Sequence, residues 1–408
     1  MGHLSGGKGA LFAGLGAAAI AVLAATAFGQ PPSSDPIGDL IGRSGGAAVA
    51  DRPGAFDRDY LAPLLRKSCP PGTQRSEPDA VQLKVAAVPL QGVNPFRKDI
   101  GKLTFVAGFH LTSPDKRFGG LSGLDQREDG GLLAVSDDGA FVWIDLAADR
   151  ITPTGARIAT MLDEKGDPFR SKSAGDAEGL ALNGDVALVS FESEHRVLAY
   201  DIGKCGAVAR GVQVRSKGSL PDEFERSGLK VGGNQGAEGL AVTSDWKLFA
   251  GLETRAGGAS PLTARAIEAA PEFDISIGAG APELVGLDLL PAGESGRDVR
   301  LFSLHRSTNA LATSVITIVE TYLEATLDQS NLPARVLSEI DERSRQRYRV
   351  TSSRVLAEMN VFVTIDNFEG LAVTPLPDGG ARLFVVSDDN FSARQRTLLM
   401  VYDLRGAP

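Results

Sequence analysis

A short phrase built on Gly-Leu recurs along the chain and constrains its fold more than any other feature. It reads EGLAL at 178–182 and EGLAV at 238–242 and 369–373, with looser copies SGLD at 122–125 and VGLDL at 285–289. After most copies, short apolar runs alternate with turns rich in Gly, Asn and Asp, which is typical of β-hairpins in series. The pattern predicts a repeat protein built from antiparallel sheets.

The spacing of the shared glycines predicts a β-propeller. Gly123, Gly179, Gly239, Gly286 and Gly370 are 56, 60, 47 and 84 residues apart. One blade with its loops takes roughly 40–50 residues. We therefore expect an all-β propeller of five or six blades within residues 81–408. The long last interval holds an insertion near 312–345 that we expect to be partly helical, or else a degenerate sixth blade.

The closing strand of such a ring is expected to come from the start of the domain. The segment TFVAGFHL at 104–111 has the composition of a strand. Pairing it with strands of the last repeat would cover an otherwise open sheet edge. The glycine of each phrase suits a crowded position near the axis, where a side chain would collide with the neighbouring backbone.

The N-terminal part has the layout of an export signal followed by a linker. Residues 1–27 carry one lysine, an uncharged apolar run and the small residues Ala25-Thr26-Ala27, which is the pattern of a cleavable signal peptide. An uncleaved membrane anchor is the alternative. Residues 28–80 are rich in Pro, Gly and Ser and predict a flexible linker with a short helix near 60–67. The predicted location is periplasmic or secreted.

The two cysteines and the charge balance narrow the remaining possibilities. In an oxidising compartment Cys69 and Cys205 favour one disulfide, with two buried thiols as the alternative. The 408-residue chain has a net charge of −9 and no Lys/Arg run, which argues against nucleic acid as a partner. No membrane contact is expected beyond the N-terminal segment. The oligomeric state stays open.

Two sets of polar residues are expected at strand ends. Glu178, Glu238 and Glu369 precede the phrase glycine in three copies, and would converge at one mouth of the channel. A second set follows the next apolar run, with arginines close behind: Asp137, Asp138, Glu192, Glu253, His305, Asp388 and Asp389, then Arg196, Arg255, Arg306 and Arg394. The alternative is that the glutamates only tie blades together by accepting backbone N–H bonds.

Three glutamates in a narrow channel cannot all stay ionised without a cation, because like charges raise one another's pKa. Ligand sets made only of oxygen favour calcium or magnesium. Nearby guanidinium groups could hold a phosphate or a carboxylate by bidentate hydrogen bonds.

Four segments together resemble the phytase-like domain family, described as "esterase-like activity of phytase". They read GGLSGLD…LLAVSDDG, DAEGLAL…FESEHRVLAYDI, NQGAEGLAV…LFAGLETR and DNFEGLAV…LFVVSDDNFSARQRTLLMVYDL, and the resemblance covers about 103–404. It implies an exported, propeller-like protein with phosphoric-ester hydrolysis on a small-molecule substrate. A non-enzymatic binding propeller and a lactonase-like hydrolase are the alternatives.

By analogy with propeller phytases that bind calcium in acidic channels, the resemblance implies roles for particular residues. The expected catalytic, metal-holding residues are Glu178, Glu238 and Glu369. Asp137 and Asp388 are expected as further ligands of Ca²⁺ or Mg²⁺. The expected substrate-binding residues are Arg255, His305, Arg306, Arg394 and Arg396. Val285, where other copies have glutamate, departs from a symmetric ring.

Overall fold

The structure is a computed structural model. It describes residues 58–215, 236–253, 259–265, 273–276, 283–294, 296–308, 313–327 and 346–406. The predicted signal peptide, the first part of the predicted linker and Arg255 lie outside these ranges. Within them, no helix has the length and apolar character needed to cross a membrane.

The described part is built almost entirely of strands. The first twelve are β1 (Asp79–Val81), β2 (Lys84–Ala87), β3 (Asp99–Ile100), β4 (Leu103–Thr112), β5 (Leu121–Gln126), β6 (Leu132–Ser136), β7 (Ala140–Leu146), β8 (Pro153–Thr160), β9 (Ala177–Asn183), β10 (Val186–Phe191), β11 (Arg196–Asp201) and β12 (Val212–Arg215). The others are β13 (Ala237–Val242), β14 (Leu248–Leu252), β15 (Ala259–Arg265), β16 (Phe273–Ser276), β17 (Glu283–Ala292), β18 (Asp298–Thr308), β19 (Ser314–Leu327), β20 (Gln346–Met359), β21 (Asn367–Pro375), β22 (Ala381–Asp388) and β23 (Thr397–Leu404). The helices are α1 (Arg58–Ser68), α2 (Lys172–Gly175) and α3 (Ile202–Cys205).

These strands form five antiparallel sheets. Their strand orders are β1-β8-β7-β6-β5, β12-β11-β10-β9, β13-β14-β15-β16, β17-β18-β19-β20 and β2-β4-β23-β22-β21, with β3 on β4. One copy of the Gly-Leu phrase lies in the edge strand of each sheet, in β5, β9, β13, β17 and β21. We call these five the inner strands. The all-β repeat architecture predicted from the phrase is confirmed.

The phrase glycines show why the inner strands form a closed ring. At each glycine, an added Cβ would collide with the inner strand of the next sheet. Measured from the added Cβ, the distances are as follows: at Gly123, 2.5 Å to Glu178 O; at Gly179, 2.9 Å to Leu240 N; at Gly239, 2.6 Å to Leu287 Cβ; at Gly286, 2.5 Å to Glu369 O; and at Gly370, 2.9 Å to Leu124 Cβ. The last contact returns to the first sheet, so the arrangement is propeller-like.

The hydrophobic core lies between neighbouring sheets. In the described part there are five hydrophobic clusters, and each joins two successive sheets. The pairs that mark them are Trp143 with Tyr200 (first and second sheets), Val197 with Ala250 (second and third), Phe249 with Leu301 (third and fourth), Leu304 with Leu371 (fourth and fifth) and Phe384 with Val142 (fifth and first). The clusters therefore complete the same circle as the glycines. Burial of apolar side chains is the dominant favourable contribution to such packing.

The predicted closing strand is in place. β4 pairs with β23 in antiparallel register, with Leu111 opposite Thr397 and Thr104 opposite Asp403. A segment near the start of the domain thus completes the sheet of the last repeat, and the expected closure is confirmed. The pairing gives the β23 edge a partner that it would otherwise lack.

The predicted partly helical insertion is wrong where the structure describes it. Ser314–Leu327 and Gln346–Met359 are the paired strands β19 and β20, and 328–345 lie outside the described ranges. The run of β-branched residues at 315–319 favours a strand. The charges that suggested a helix pair across strands instead, because Glu320 binds Arg300 and Arg354, and Glu324 binds Arg349.

The predicted linker ends earlier than expected. The short predicted helix is present as α1, and its Leu61 is fully buried against the second and third sheets. The next residue after α1, Cys69, forms a disulfide with Cys205, which confirms the predicted bridge. Residues 58–80 therefore belong to the folded part, and their polar composition concealed the few buried contacts that hold them.

Candidate functional site

The residue before each phrase glycine lies at a β-bulge. Pairing of every inner strand with its neighbour shifts register there, between Leu121 and Gly123, Val189 and Phe191 (opposite Glu178), Ala237 and Gly239, Leu284 and Gly286, and Phe368 and Gly370. A bulged residue leaves the regular alternation of the strand, and its side chain is re-aimed. In three copies that residue is a glutamate at the same end of the ring.

Glu178 and Glu238 lack the partners that a structural carboxylate would have. No hydrogen bond joins either carboxylate to another residue of the described ranges. Burial raises the pKa of both groups well above the usual range, and the carboxylates of neighbouring glutamates raise it further. Glu178 and Glu238 do not tie blades together by the backbone bonds considered in the alternative.

Other residues tie neighbouring sheets together. The hydroxyl of Ser122 donates to Ala177 O at 2.6 Å. Two aspartates on inner strands, the half-buried Asp125 and the buried Asp288, accept backbone N–H bonds from a neighbouring sheet, at 2.6 Å from Leu182 N and at 2.5 Å from Val373 N. Both aspartates lie two residues after a phrase glycine, toward the opposite end of the ring. Burial raises the pKa of Asp125 to about 7 and that of Asp288 well above its usual range.

A compact carboxylate cluster forms around Glu192. Oxygen atoms of Asp176, Glu178 and Glu192 lie within 4.8 Å of one another, and so do those of Glu192, Glu238 and Glu253. Glu192 belongs to both groups because it follows β10, between the bulges of β9 and β13. Burial raises its pKa to about 7, and Asp176 and Glu253 add to the effect. We call these five residues the Glu192 cluster.

Three members of this cluster are not among the metal ligands predicted from the sequence. Glu192 and Glu253 belong to the second polar set but have no predicted metal role, and Asp176 has no predicted role. The available signal was positional: Asp176 stands two residues before Glu178 in DAEGL, while Glu192 and Glu253 follow the second run of their repeats.

Glu369 has a different environment, because it is paired with an arginine. Arg306 Nη1 lies 2.5 Å from Glu369 Oε1, and its Nη2 lies 3.7 Å from Glu253 Oε1. Asn367 accepts a hydrogen bond from Arg306 and donates one to Glu369 Oε1 at 2.9 Å. Burial raises the pKa of Glu369 to about 7 although Arg306 opposes the shift. Burial lowers the pKa of Arg306, but the carboxylates of Glu369, Glu253 and Glu283 together raise it more, and the net shift is upward.

Asp137 and Asp388 lie beside the cluster rather than within its two groups. Asp137 Oδ2 accepts an ion-paired hydrogen bond from Lys172 Nζ at 2.7 Å. Its other oxygen, Oδ1, is buried with no hydrogen-bond partner among the described residues. Asp388 accepts from Asn390 N at 2.6 Å, and burial, with Asp137 and Asp389 adding, raises its pKa to about 6. Lys172, in α2, is a cation that the sequence prediction did not single out.

The remaining predicted substrate-binding residues are separated from the cluster. His305 is fully buried and shares a 2.8 Å hydrogen bond with Ser303. It precedes Arg306 on β18, and since successive side chains of a strand point to opposite faces, the two side chains leave the strand in opposite directions. Arg396 binds Asp366 at 3.1 Å. Arg394 is exposed, and in the described part it has no contact with the clustered carboxylates.

The centre of the ring is too narrow for a substrate. The cavity between the inner strands measures about 10 Å³ and is lined by phrase glycines together with Glu238 and Glu369. That is about the space of one water molecule. A molecule larger than one water therefore does not fit between the inner strands.

A larger cavity of about 150 Å³ lies at the other end of β9 and is lined in part by Arg75, Arg127 and Arg157. Its arginines are already paired, Arg75 with Glu77 and both others with Asp145. The arginines of this cavity are therefore ion-paired within the protein, although Arg157 Nε is buried with no hydrogen-bond partner among the described residues.

A family model with the description "Phytase-like: Esterase-like activity of phytase" matches residues 116–391. The chain belongs to this phytase-like family. The match contains the whole Glu192 cluster, Arg306 and Lys172, whereas Arg394 and Arg396 lie beyond its end. No curated protein matches the chain at a significant level.

Three solved structures show a distant similarity to the chain. The PQQ-bound aldose sugar dehydrogenase of Streptomyces coelicolor is 12% identical, covers 80% of this chain and 99% of its own, and has a TM-score of 0.35. The PQQ domain of pyranose dehydrogenase from Coprinopsis cinerea is 10% identical. The match covers 81% of this chain and 98% of that domain, with a TM-score of 0.37. A Trichoderma reesei enzyme of carbohydrate-active family AA12, in a calcium structure, is 12% identical. The match covers 81% of this chain and 99% of that enzyme, with a TM-score of 0.35. Values this low support no functional argument.

Proposed function

We propose that the five sheets are five blades of a closed propeller, and that the protein is an exported, metal-dependent ester hydrolase of the phytase-like family. Phosphomonoesters are the favoured substrates. One observation carries the proposal: two groups of carboxylate oxygens share Glu192, with atoms within 4.8 Å of one another, at the mouth of the ring. The disulfide between Cys69 and Cys205 supports a periplasmic or secreted location.

The residues of the Glu192 cluster fit a hard divalent cation. All five offer carboxylate oxygen, the donor that calcium and magnesium prefer. The carboxylates of Glu178 and Glu238 have no hydrogen-bond donor in the described part of the chain, and their raised pKa values reflect burial and mutual repulsion. A bound cation would remove that repulsion. Asp176, Glu178, Glu192, Glu238 and Glu253 would hold it, and when bound it would polarise a phosphoryl oxygen and acidify water.

Two cations beside the cluster suit an anionic substrate. Arg306 is held by Glu369 and Asn367, so its guanidinium is fixed before a substrate arrives. Lys172 is mostly exposed and is paired only through Asp137 among the described contacts. We infer that these two side chains bind phosphate oxygens, Arg306 by a directed hydrogen bond and Lys172 as a mobile charge.

Glu369 suits proton transfer near neutral pH. Its pKa of about 7 allows it both to hold and to release a proton under those conditions. Its hydrogen bonds to Arg306 and Asn367 fix the carboxyl orientation. We infer that Glu369 delivers a proton to the leaving alcohol, rather than serving as one of the metal ligands predicted from sequence.

The test is phosphate release from phytate and from a simple phosphomonoester by the purified protein, first with calcium and then with excess chelator. We expect calcium-dependent release and a reduction in kcat/KM of more than 100-fold in Glu192→Gln. The matched control is Glu324→Gln, which removes an exposed ion pair with Arg349 and should keep wild-type activity.

The alternatives give different results in the same experiment. Turnover of sugar lactones without phosphate release would select a lactonase-like hydrolase. Calcium binding without turnover of either substrate class would select a binding propeller. Phosphate release unaffected by both chelator and Glu192→Gln would refute the proposed site.

A further inference from the structure

Two neighbouring loops expose large apolar side chains to solvent. Val93 and Phe96 lie between β2 and β3, and are 91% and 89% exposed. Val361 and Phe362 lie between β20 and β21, and are 56% and 74% exposed. These are the four most exposed large hydrophobic side chains of the described ranges. We call them the loop patch.

The two loops are joined to each other and fixed to the fold. Thr364 donates to Leu90 O and Pro89 O, each at 2.7 Å, and Gln91 Nε2 donates to Phe362 O at 2.9 Å. Leu90 and Val363 are buried in the core between the fourth and fifth sheets. The exposed residues therefore stand beside buried anchors, and the fold itself holds the loop patch outward.

The two loops themselves carry a charge opposite in sign to that of the whole chain, while Glu358 and the Arg396-paired Asp366 lie just beyond the second loop. Residues 91–102 contain Arg97, Lys98 and Lys102 against the single acid Asp99, and residues 360–365 contain no charge, so the two loops carry +2. The whole chain carries −9. Arg97 uses one donor on Asp99 O, and Lys98 Nζ lies 5.0 Å from the Phe105 ring centroid, but Lys98 and Lys102 remain exposed.

Aromatic rings beside basic residues on loop tips match the chemistry of an anionic lipid surface. Apolar side chains enter the boundary between headgroups and acyl chains, while lysine and arginine stay with the phosphates. A second copy of the chain is the less suitable occupant. The four side chains expose roughly 500 Å², whereas a stable interface buries about 800 Å² on each partner.

We propose that the loop patch, with Arg97, Lys98 and Lys102, docks the folded protein on a membrane rich in anionic lipid. This revises the expectation that only the N-terminal segment contacts a membrane. The inference does not depend on the proposed hydrolase activity. Phe362 lies five residues before Asn367, which contacts Glu369, so docking would hold the mouth of the ring near the bilayer.

A local reporter tests the proposal separately from any binding by the N-terminal segment. In full-chain Phe362→Trp we would record tryptophan emission, corrected for wild-type Trp143 and Trp246, with vesicles of phosphatidylcholine and phosphatidylglycerol. We expect a blue shift, and quenching by lipids brominated on their acyl chains. Val350→Trp, on β20 outside the patch, should show neither change.

Charge dependence completes the test. Vesicles of pure phosphatidylcholine, or 0.5 M salt, should weaken the shift, and the triple variant Arg97→Gln, Lys98→Gln, Lys102→Gln should need at least tenfold more anionic lipid. An unchanged Phe362→Trp spectrum with anionic vesicles would overturn the proposal. So would a shift that grows with protein concentration without lipid, since that result indicates contact between copies.

Discussion

Raising the pH of the metal-free protein from 5 to 8 is expected to destabilise it. Glu192, Glu369 and Asp388 have pKa values of about 7, 7 and 6 in the folded protein, above the ordinary values of 4.5, 4.5 and 3.8. A raised carboxyl pKa means that the folded state binds the proton more tightly than the unfolded state. The stabilisation that this tighter proton binding gives the folded state is therefore fully present below about pH 4. It is lost as pH rises through the pKa values of these carboxyls in the folded protein.

The size of the effect can be worked out for Glu369, whose side chain is only 14% exposed. A shift from 4.5 to about 7 corresponds to about 3 kcal/mol in total, of which about 2.5 kcal/mol falls between pH 5 and 8. This is an upper estimate, because the neighbouring carboxyls titrate together. Carboxyls with lowered pKa values, such as Asp115 at about 2, lose their contribution only as pH falls below this window.

The assay is urea unfolding in excess chelator at pH 5, 6, 7 and 8, followed by circular dichroism. The free energy of unfolding of wild type should fall by a few kcal/mol across the series. Glu369→Gln keeps the size and the acceptor oxygen of the side chain. It should reduce the fall in the free energy of unfolding between pH 5 and 8 by about 2 kcal/mol. Calcium should stabilise wild type more at pH 8 than at pH 5, because protons and the cation compete for the same oxygens.

Glu324→Gln, at the exposed ion pair with Arg349, is the control and should keep the wild-type slope. A free energy of unfolding that is flat or rises from pH 5 to 8 in chelator would refute the reasoning. If Glu369→Gln keeps the wild-type fall in the free energy of unfolding between pH 5 and 8, then Glu369 does not make the predicted contribution to that fall.

Three further changes test the packing. Gly123→Ala places a methyl group 2.5 Å from Glu178 O and should cost about 1–3 kcal/mol in urea unfolding, whereas Gly92→Ala, with open space around it, should be near neutral. Replacing Cys69 and Cys205 by alanine removes a cross-link spanning 136 residues and should cost up to about 5 kcal/mol; reductant should have the same effect on wild type and none on the double variant. Asp288→Ala leaves the N–H groups of Leu289 and Val373 without their acceptor, and thermal unfolding should show a loss of about 2–3 kcal/mol that Asp288→Asn reduces.

Much of the fold could be predicted because its signals are local. The Gly-Leu phrase fixed where each inner strand begins, and a side chain at its glycine has no space beside the next strand. The composition of 104–111 was enough to identify the strand that pairs with β23. The error at 312–345 had a local cause as well, because Glu320 and Glu324 have the spacing of a helical face and yet pair across strands.

The candidate site was predictable only in outline. The sequence placed acidic residues at strand ends, and Glu178 and Glu238 do meet at one end of the ring. It could not separate Glu178 and Glu238, whose carboxylates accept no hydrogen bond within the described ranges, from Glu369 and Asp137, which are paired with Arg306 and Lys172. Arg306 reaches Glu369 across 63 positions of sequence, and Lys172 reaches Asp137 across 35.

The sequence by itself determined the repeating antiparallel unit, its glycine contacts and its closing strand, since hairpins and close approaches depend on a few adjacent residues. Only the tertiary structure decided that Asp176, Glu192 and Glu253 join Glu178 and Glu238. A metal site depends on distances of a few ångströms between atoms from different sheets. Those distances are set by the bulge at each phrase and by the packing of one sheet on the next, which no single repeat encodes.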